Sequence, residues 1–477
     1  MLLDDTLPGI SRDALDHIPY ALAQRYGVLA YRAEGSDLHV LVPDASDDDT
    51  LDRIRNVSGM RVVPREASPK ALRARIATAY GIDEIPAEEP GDAPPAIRAL
   101  DEVHEAAVAA NASDIHLEPT HHGGRVRHRV DGMLFETRML PVELFAQVVS
   151  RVKLLAAMDI ADRRQPQDGR YSLTVDRRSI DVRVSSMPTI NGEKLVIRLL
   201  DLHARIPTLE ELGMPPSLRA QYRSLVHSPY GFIVVCGPTG SGKTTTLYAS
   251  LSERNVVGQH LCTVEDPVEV RVPGVAQVQV NERAGMTFAA ALRSFLRQDP
   301  NVLMVGEMRD GETAKVALSA ALSGQLVMTT LHASDAPRVI ERLNELGADR
   351  HAIAAGLSAV LAQRLVRRLC RVCRERSELR ADAHAVGLPA GTLIYKPGGC
   401  TECSGTGYRG RVGIFEYLPV TQDIRIAIAS GASSVTVAEL GRSAGYRPML
   451  ADGITRLSSG ETSLEELHRV LTFETQR

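Results

Sequence analysis

GFIVVCGPTGSGKTTTLYAS, residues 231–250, is the stretch from which the fold follows. The apolar run 232–236 reads as a short buried strand. It opens directly into Gly237-x-x-x-x-Gly242-Lys243-Thr244, and then into a segment able to be helical. The phosphate-binding loop thus stands in its required context of strand, loop and helix. Glycines let successive backbone N–H groups curl around a polyphosphate, and the positive end of the following helix adds its field. Gly237, Pro238, Thr239, Gly240, Ser241, Gly242, Lys243, Thr244 and Thr245 are the expected cradle. Within it Lys243 reaches the β/γ-phosphates and the Thr244 hydroxyl coordinates Mg2+. The pattern predicts a site for a nucleoside triphosphate.

Further strand-like runs follow at 261–264, 276–280, 302–305 and 326–330, separated by helical or loop material. That alternation predicts a doubly wound α/β sheet with the nucleotide beyond the carboxyl ends of its strands. A nucleotide hydrolase needs a second, acidic strand to hold Mg2+ and prepare a water. Residues 301–307 (NVLMVGE) supply an apolar strand ending in Glu307, which we assign to water activation and, with Thr244, to the Mg2+ site. Residues 261–269 (LCTVEDPVE) end in Glu265, Asp266 and Glu269. Three carboxylates after a strand either bind Mg2+-bound water, pair with a neighbouring arginine, or form a solvated turn. The run 326–332 (LVMTTLH) ends in His332, which spacing alone leaves as a γ-phosphate sensor or a satisfied polar residue. His116 reads as structural.

The chain has 477 residues, enough for about three domains. With 44% hydrophobic and 24% charged residues it can build real cores, and its net charge of −4 exerts no global pull toward nucleic acid or acidic lipid. No run approaches the ~18 apolar residues of a membrane span. The first residues lack the basic and apolar regions of a signal peptide, so none is expected. Residues 1–82 read as a small α/β module, with helices at 18–26 and 68–80 and a strand at 37–42. Residues 82–95 (IDEIPAEEPGDAPP) hold five acidic residues and four prolines, a composition that predicts a mobile linker over 83–95. A second unit, 96–203, opens with a helix over 96–110. Strands follow at 112–119 and 124–131, a helix at 142–158, and further strands ending at 194–200. It reads as a sensor-like α/β fold whose many arginines are able to face a ligand. Residues 204–477 form the third unit.

Of six cysteines, Cys236 and Cys262 lie singly in apolar runs and are expected in the core. Cys370-x-x-Cys373 and Cys400-x-x-Cys403 stand 26 residues apart. Four thiolates in a large chain with no export signal point to metal rather than disulfides, and to a closed structural Zn2+ site over about 366–415. Arg364, Arg367, Arg368, Arg371, Arg374 and Arg376 crowd the first pair. They read as a nucleic-acid patch, as compensation for the thiolates, or as a face toward an acidic partner. The lack of interleaved aromatics disfavours the first.

ASDIHLEP (112–119), RHRVDG (127–132), GPTGSGKTTT (237–246), TVEDPVE (263–269), LRQDPNVLMVGEMRD (296–310), LVMTTLHASDA (326–336) and the paired CxxC motifs occur in one order. In that order they resemble the secretion ATPases of the type II and type IV pilus class, over about residues 96–477. The resemblance implies a RecA-like P-loop core, a PAS-like second domain and a small N-terminal α/β domain. It places Glu265 in the acidic box, Glu307 at the Walker B position and His332 in the histidine box, giving Glu307, Glu265, His332 and Lys243 as catalytic residues. It also implies that Arg183 and Arg198 of the second domain reach the phosphates, which suits the bidentate grip of a guanidinium. By the same resemblance the chain is a cytoplasmic homohexamer that uses ATP and Mg2+ to power type II secretion through pseudopilus assembly. Residues 1–82 resemble the type II secretion branch and would dock an inner-membrane platform, namely the cytoplasmic domain of the L-type protein and the F-type protein. Membrane contact would come only through these partners, with no nucleic acid. The alternative is a pilus-extension ATPase. One departure is Ser323-Gly324-Gln325, where the family carries Thr-Gly-His; it puts any acid–base role for that position in question.

Overall fold

The computed structural model describes residues 9–80 (apart from 20, 21, 24, 25, 69–71, 73, 74, 77 and 78), 94–175, 178–379 and 388–471. They fall into two compact units, Met1–Pro95 and Ala96–Arg477. In the first, β1 (Leu29–Glu34) pairs antiparallel with β2 (Asp37–Val42), and β3 (Arg61–Glu66) runs parallel to β2. Residues 37–42 alternate as a strand should, and β2 covers them. Asp47 caps the helix Asp48–Ser58 by accepting from the Thr50 amide, and Ile54 packs with Leu29, Leu38 and Leu41 in the core. The helices expected at 18–26 and 68–80 and the linker at 83–95 lie partly or wholly outside the described residues.

The second unit begins with the helix Pro95–Ala109 and six antiparallel strands in the order β6-β5-β4-β9-β8-β7. These are β4 (Asp114–Thr120), β5 (Gly123–Val130), β6 (Met133–Leu140), β7 (Gln167–Val175), β8 (Arg178–Thr189) and β9 (Gly192–Leu200). One sheet face packs on the helices Pro95–Ala109 and Val142–Leu155, with Leu100, Val103, Val148 and Val152 meeting Ile115, Leu117, Val184 and Ile197. Polar residues alternate with these along β8 and β9, as a half-solvated antiparallel sheet requires.

A seven-stranded sheet follows, in the order β12-β11-β13-β14-β10-β15-β18. Its strands are β10 (Gly231–Cys236), β11 (Leu261–Glu265), β12 (Ala276–Gln279), β13 (Val302–Val305), β14 (Leu326–Leu331), β15 (Leu357–Leu369) and β18 (Tyr408–Pro419). All are parallel except the edge strand β18. The inner strands β10, β11, β13 and β14 are buried on both faces because both are covered. Phe232, Val234 and Cys236 join a core with the helices Phe288–Phe295, Gly311–Leu322 and Arg338–Glu345. Ile233 and Val235 point the other way, into a core with the helices Pro216–Val226 and Lys243–Arg254. The phosphate-loop strand β10 thus lies inside the sheet, flanked by β14 and β15. Between β15 and β18 hang the four cysteines and a small hairpin of β16 (Glu375–Glu378) and β17 (Leu393–Lys396). Among the described residues no helix is long and apolar enough to cross a membrane.

Candidate functional site

Four parallel strands deliver the predicted chemistry to one sheet edge. β10 ends at the loop Gly237–Thr244, β11 at Glu265, and β14 one residue before His332; Glu307 follows β13 by two residues. Gly237 and Gly242 have φ of +153° and +85°, and a Cβ at either would crowd Gln363 on β15, at 2.5 Å from its carbonyl and 2.9 Å from its amide nitrogen. The loop therefore needs glycine at both places. Lys243 is nearly buried, and its Nζ donates to the carbonyls of Gly237 (3.0 Å) and Pro238 (2.9 Å). Burial lowers its pKa, with Cys236 and Glu307 pulling the other way. The Ser241 hydroxyl is buried and, among the described residues, has no hydrogen-bond partner. A desolvated cation, an orphaned hydroxyl and left-handed glycines at the start of a helix fit a polyphosphate. Thr244 and Thr245 sit in the first helical turn, while Thr246 donates to Gln363 (2.6 Å) and ties the helix to β15.

The acidic box is less uniform than its sequence. Glu265 is 1% exposed and accepts from Tyr248 Oη, from Thr263 Oγ1 (2.5 Å) and from Gln277 Nε2 (3.1 Å). Tyr248 Oη in turn accepts from the amides of Glu269 (3.1 Å) and Val270 (3.4 Å). Glu265 is thus locked by three elements. Asp266 faces solvent and meets Arg309 (3.3 Å). Glu269 opens into the cleft. Desolvation and the Glu265 charge raise its pKa, while Arg198, Arg183 and Lys243 oppose the rise. Of the alternatives the sequence leaves open, pairing with arginine holds for Asp266, and Glu269 feels two arginine charges.

Glu307 sits between Arg309 Nη2 (2.5 Å) and His332 Nε2 (3.8 Å). His332 is half exposed; burial and then the Lys243 charge lower its pKa, while Glu307 pulls the other way. The strand ends are welded by Thr330 Oγ1 donating to the Gly306 carbonyl (2.7 Å). Gln325 lies at the other end of β14, where its carbonyl accepts from the Gly231 amide (3.2 Å). Six strand residues, roughly 20 Å, separate it from His332. The departure from Thr-Gly-His therefore sits at the amino edge of the sheet, remote from the phosphate loop of its own chain.

Arg183 on β8 and Arg198 on β9 are direct cross-strand partners on the solvated face of the six-stranded sheet. They line a cavity of about 650 Å3 with Asp168, Arg170, Ser185 and Gln279, the last from β12 of the nucleotide-binding sheet. The two sheets are also joined by Asp131, which accepts from the Gly410 amide (2.8 Å) and pairs with Arg411 (3.4 Å). Both arginines are near enough to Glu269 for their charges, like that of Lys243, to act on its carboxylate.

The sulfurs of Cys370, Cys373, Cys400 and Cys403 lie within 4.8 Å of one another, with 3.7–3.8 Å between several pairs. That is far beyond a disulfide and equals the edge of a tetrahedron with Zn–S near 2.3 Å. Burial raises the Cys403 thiol, yet the amides of Cys400 (3.3 Å) and Gly407 (3.2 Å) outweigh it and bring the thiol down to about 6. The donor set fits Zn2+. Nearby, Arg367 stacks on Tyr408 at 4.0 Å and pairs with buried Glu466 (2.8 Å). Arg374 covers Tyr395 at 4.6 Å, and Arg364 donates to the Ser334 carbonyl (2.8 Å). Each of these three arginines thus has partners within the fold.

Sequence reasoning missed Tyr248, Thr263, Gln277, Gln363 and Arg309. Tyr248 stands one helical turn after Thr244, Thr263 two residues before Glu265 on one strand face, and Arg309 two residues after Glu307, spacings that place each beside its partner; Gln277 and Gln363 come from separate elements and carry no local signal.

A family described as "Type II/IV secretion system protein" matches residues 89–469, and an MshEN domain matches residues 2–85. "Type II secretion system protein E" of Dickeya dadantii is 39% identical, over 96% of this chain and 97% of its own length. "Type IV pilus assembly ATPase PilB" of Thermus thermophilus is 40% identical over 94% of this chain, which spans 54% of that protein. The solved pilus retraction motor PilT with bound ADP has a TM-score of 0.52 and 26% identity, covering 77% of this chain and 95% of its own.

Proposed function

We propose, for a chain that belongs to the type II/IV secretion system protein family, that it is a cytoplasmic, Mg2+-dependent ATPase acting as a homohexamer in type II secretion through pseudopilus assembly. The observation that supports the reading is that the strands carrying Lys243, Glu265, Glu307 and His332 all end at one edge of the sheet, while the charges of Arg183, Arg198 and Lys243 all act on Glu269. The loop amides and Lys243 bind and orient the polyphosphate. Thr244 and Glu307 would hold Mg2+, which would supply positive charge to the phosphates. Glu307 orients the attacking water, with Arg309 bonded to one of its oxygens and the His332 ring 3.8 Å from the other. Locked Glu265 shapes the field beside it, and Arg183 and Arg198 report the terminal phosphate from the second domain.

The tetracysteine cluster holds one structural Zn2+ between β15 and β18. Residues 1–82, followed by the linker 83–95, dock the inner-membrane platform through its L-type cytoplasmic domain and F-type protein; residues 96–203 and 204–477 form the PAS-like and RecA-like domains. The 40% identity to PilB favours a second reading, pilus extension, with the same chemistry. Capture with residues 1–82 as bait distinguishes the two machines. For the chemistry, Lys243→Ala is expected to lose turnover and nucleotide binding together, and Glu307→Gln to bind ATP while turnover falls about 10²-fold or more. Turnover near wild type in either variant refutes the reading.

A further inference from the structure

The second-domain sheet carries a transverse row of charge that strand register alone defines. Arg170 on β7 pairs with Arg183 on β8, Arg183 with Arg198 on β9, Arg198 with Asp114 on β4, and Asp114 with Arg129 on β5. Directly paired residues share a face. At the β4 end the signs alternate, and Asp114 divides its oxygens between Arg198 (3.3 Å) and Arg129 (3.6 Å). At the β7 end they do not: three arginines stand side by side, an arrangement that like-charge repulsion disfavours. All three line the cavity of about 650 Å3 that Gln279 closes from the nucleotide-binding sheet, with Asp168 as its sole acidic lining residue.

The three are not equal. Arg198 has Asp114, and Arg183 has Asp181 at 3.7 Å on its own strand. Arg170 is exposed to the cavity, and among the described residues it has no hydrogen bond or ion pair. The least compensated guanidinium in the cavity is therefore the one neither motif nor spacing singles out.

We propose that Arg170 is a third phosphate-binding arginine, gripping the terminal phosphate of the nucleoside triphosphate beside Arg183 and Arg198. The inference rests on the ATPase reading and assigns a further residue to that site. The terminal phosphate carries most of the charge that distinguishes a triphosphate from a diphosphate, and a planar guanidinium free of other partners is suited to take it bidentately. An edge-strand arginine that only discourages sheet extension is the competing account, because β7 is the last strand of its sheet. That role has no reason to distinguish ATP from ADP.

The full chain with Mg2+ is titrated with a non-hydrolysable ATP analogue and, separately, with ADP. The proteins compared are wild type, Arg170→Gln, Arg170→Lys and Lys243→Ala. Arg170→Gln is expected to lose about tenfold or more in affinity for the analogue, the scale of a charge-assisted hydrogen bond, while ADP affinity stays within about twofold. Arg170→Lys recovers part of the loss through its charge. Unchanged analogue binding by Arg170→Gln overturns the proposal, and so does an equal loss for both nucleotides. If Lys243→Ala binds the analogue as wild type does, the ATPase reading itself fails, whatever Arg170 does.

Discussion

Removing a single oxygen at Tyr248 tests whether the acidic box works through a locked Glu265. Tyr248→Phe deletes the hydroxyl that donates to Glu265 Oε2 and accepts from the Glu269 and Val270 amides. A hydrogen bond to a buried charge contributes about 1.5–3 kcal/mol, and two amides losing an acceptor add to that. Glu265 keeps Thr263 and Gln277, so it stays buried but is free to swing about those two anchors. A displacement near 1 Å at a positioned group costs on the order of 10²-fold in rate. We therefore expect kcat to fall about 10- to 100-fold, with ADP affinity within about threefold because the loop and Lys243 are untouched. Steady-state phosphate release beside equilibrium nucleotide binding reads both quantities. Gln277→Ala loosens Glu265 from the other side, so the double variant should show a coupling of at least about 0.5 kcal/mol. A kcat within twofold of wild type, or a loss of ADP affinity in step with kcat, would mean that Glu265 is only a packed carboxylate.

Metal analysis of the purified chain should find about one zinc, absent in Cys403→Ser, and the four thiols should react with a thiol reagent only after chelation. Free reactivity without a chelator in zinc-free native protein rules the site out. A different prediction concerns acid. Burial, and then the neighbouring His128, lower the His104 pKa from 6.5 to about 4, and the His104 ring bonds Tyr171 Oη at 2.7 Å. Between those values the unfolded chain binds a proton that the folded one refuses. Stability is thus full above pH 6.5 and lost as pH falls toward 4, by up to roughly 3 kcal/mol. Hydrogen exchange in the helix Pro95–Ala109 should quicken from pH 7.5 to 5 once corrected for its intrinsic rate, and less so in His104→Gln. Protection independent of pH would show that this histidine is not linked to folding.

The site's two halves differ in how far the sequence exposes them, for a physical reason. Gly237–Thr244 and Glu307 are legible because each sits where an apolar strand ends, and a parallel sheet delivers all its strand ends to one edge whatever their order. β15 is not legible. Its first half is buried on both faces, so it lacks the alternation by which a strand is recognised, and its second half, Arg364–Leu369, meets the charged surround of the cysteines. With β15 unseen, Gln363 is unseen, although it fixes the phosphate loop from below. Gln325 misleads in the opposite direction: proximity to His332 in sequence suggests a shared site, and the extended strand between them puts the two at opposite sheet edges. Arg170, Arg183 and Arg198 pose the hardest case. Their separations of 13 and 15 residues carry no period, and only the two antiparallel pairings of β7, β8 and β9 turn them into a row. A one-residue slip in either pairing would send an arginine to the apolar face against Val148 and Val152, where an unpaired charge is prohibitive. The hydrophobic residues that alternate with these arginines, Val182, Val184, Ile197 and Leu199, therefore set the register that assembles the charge.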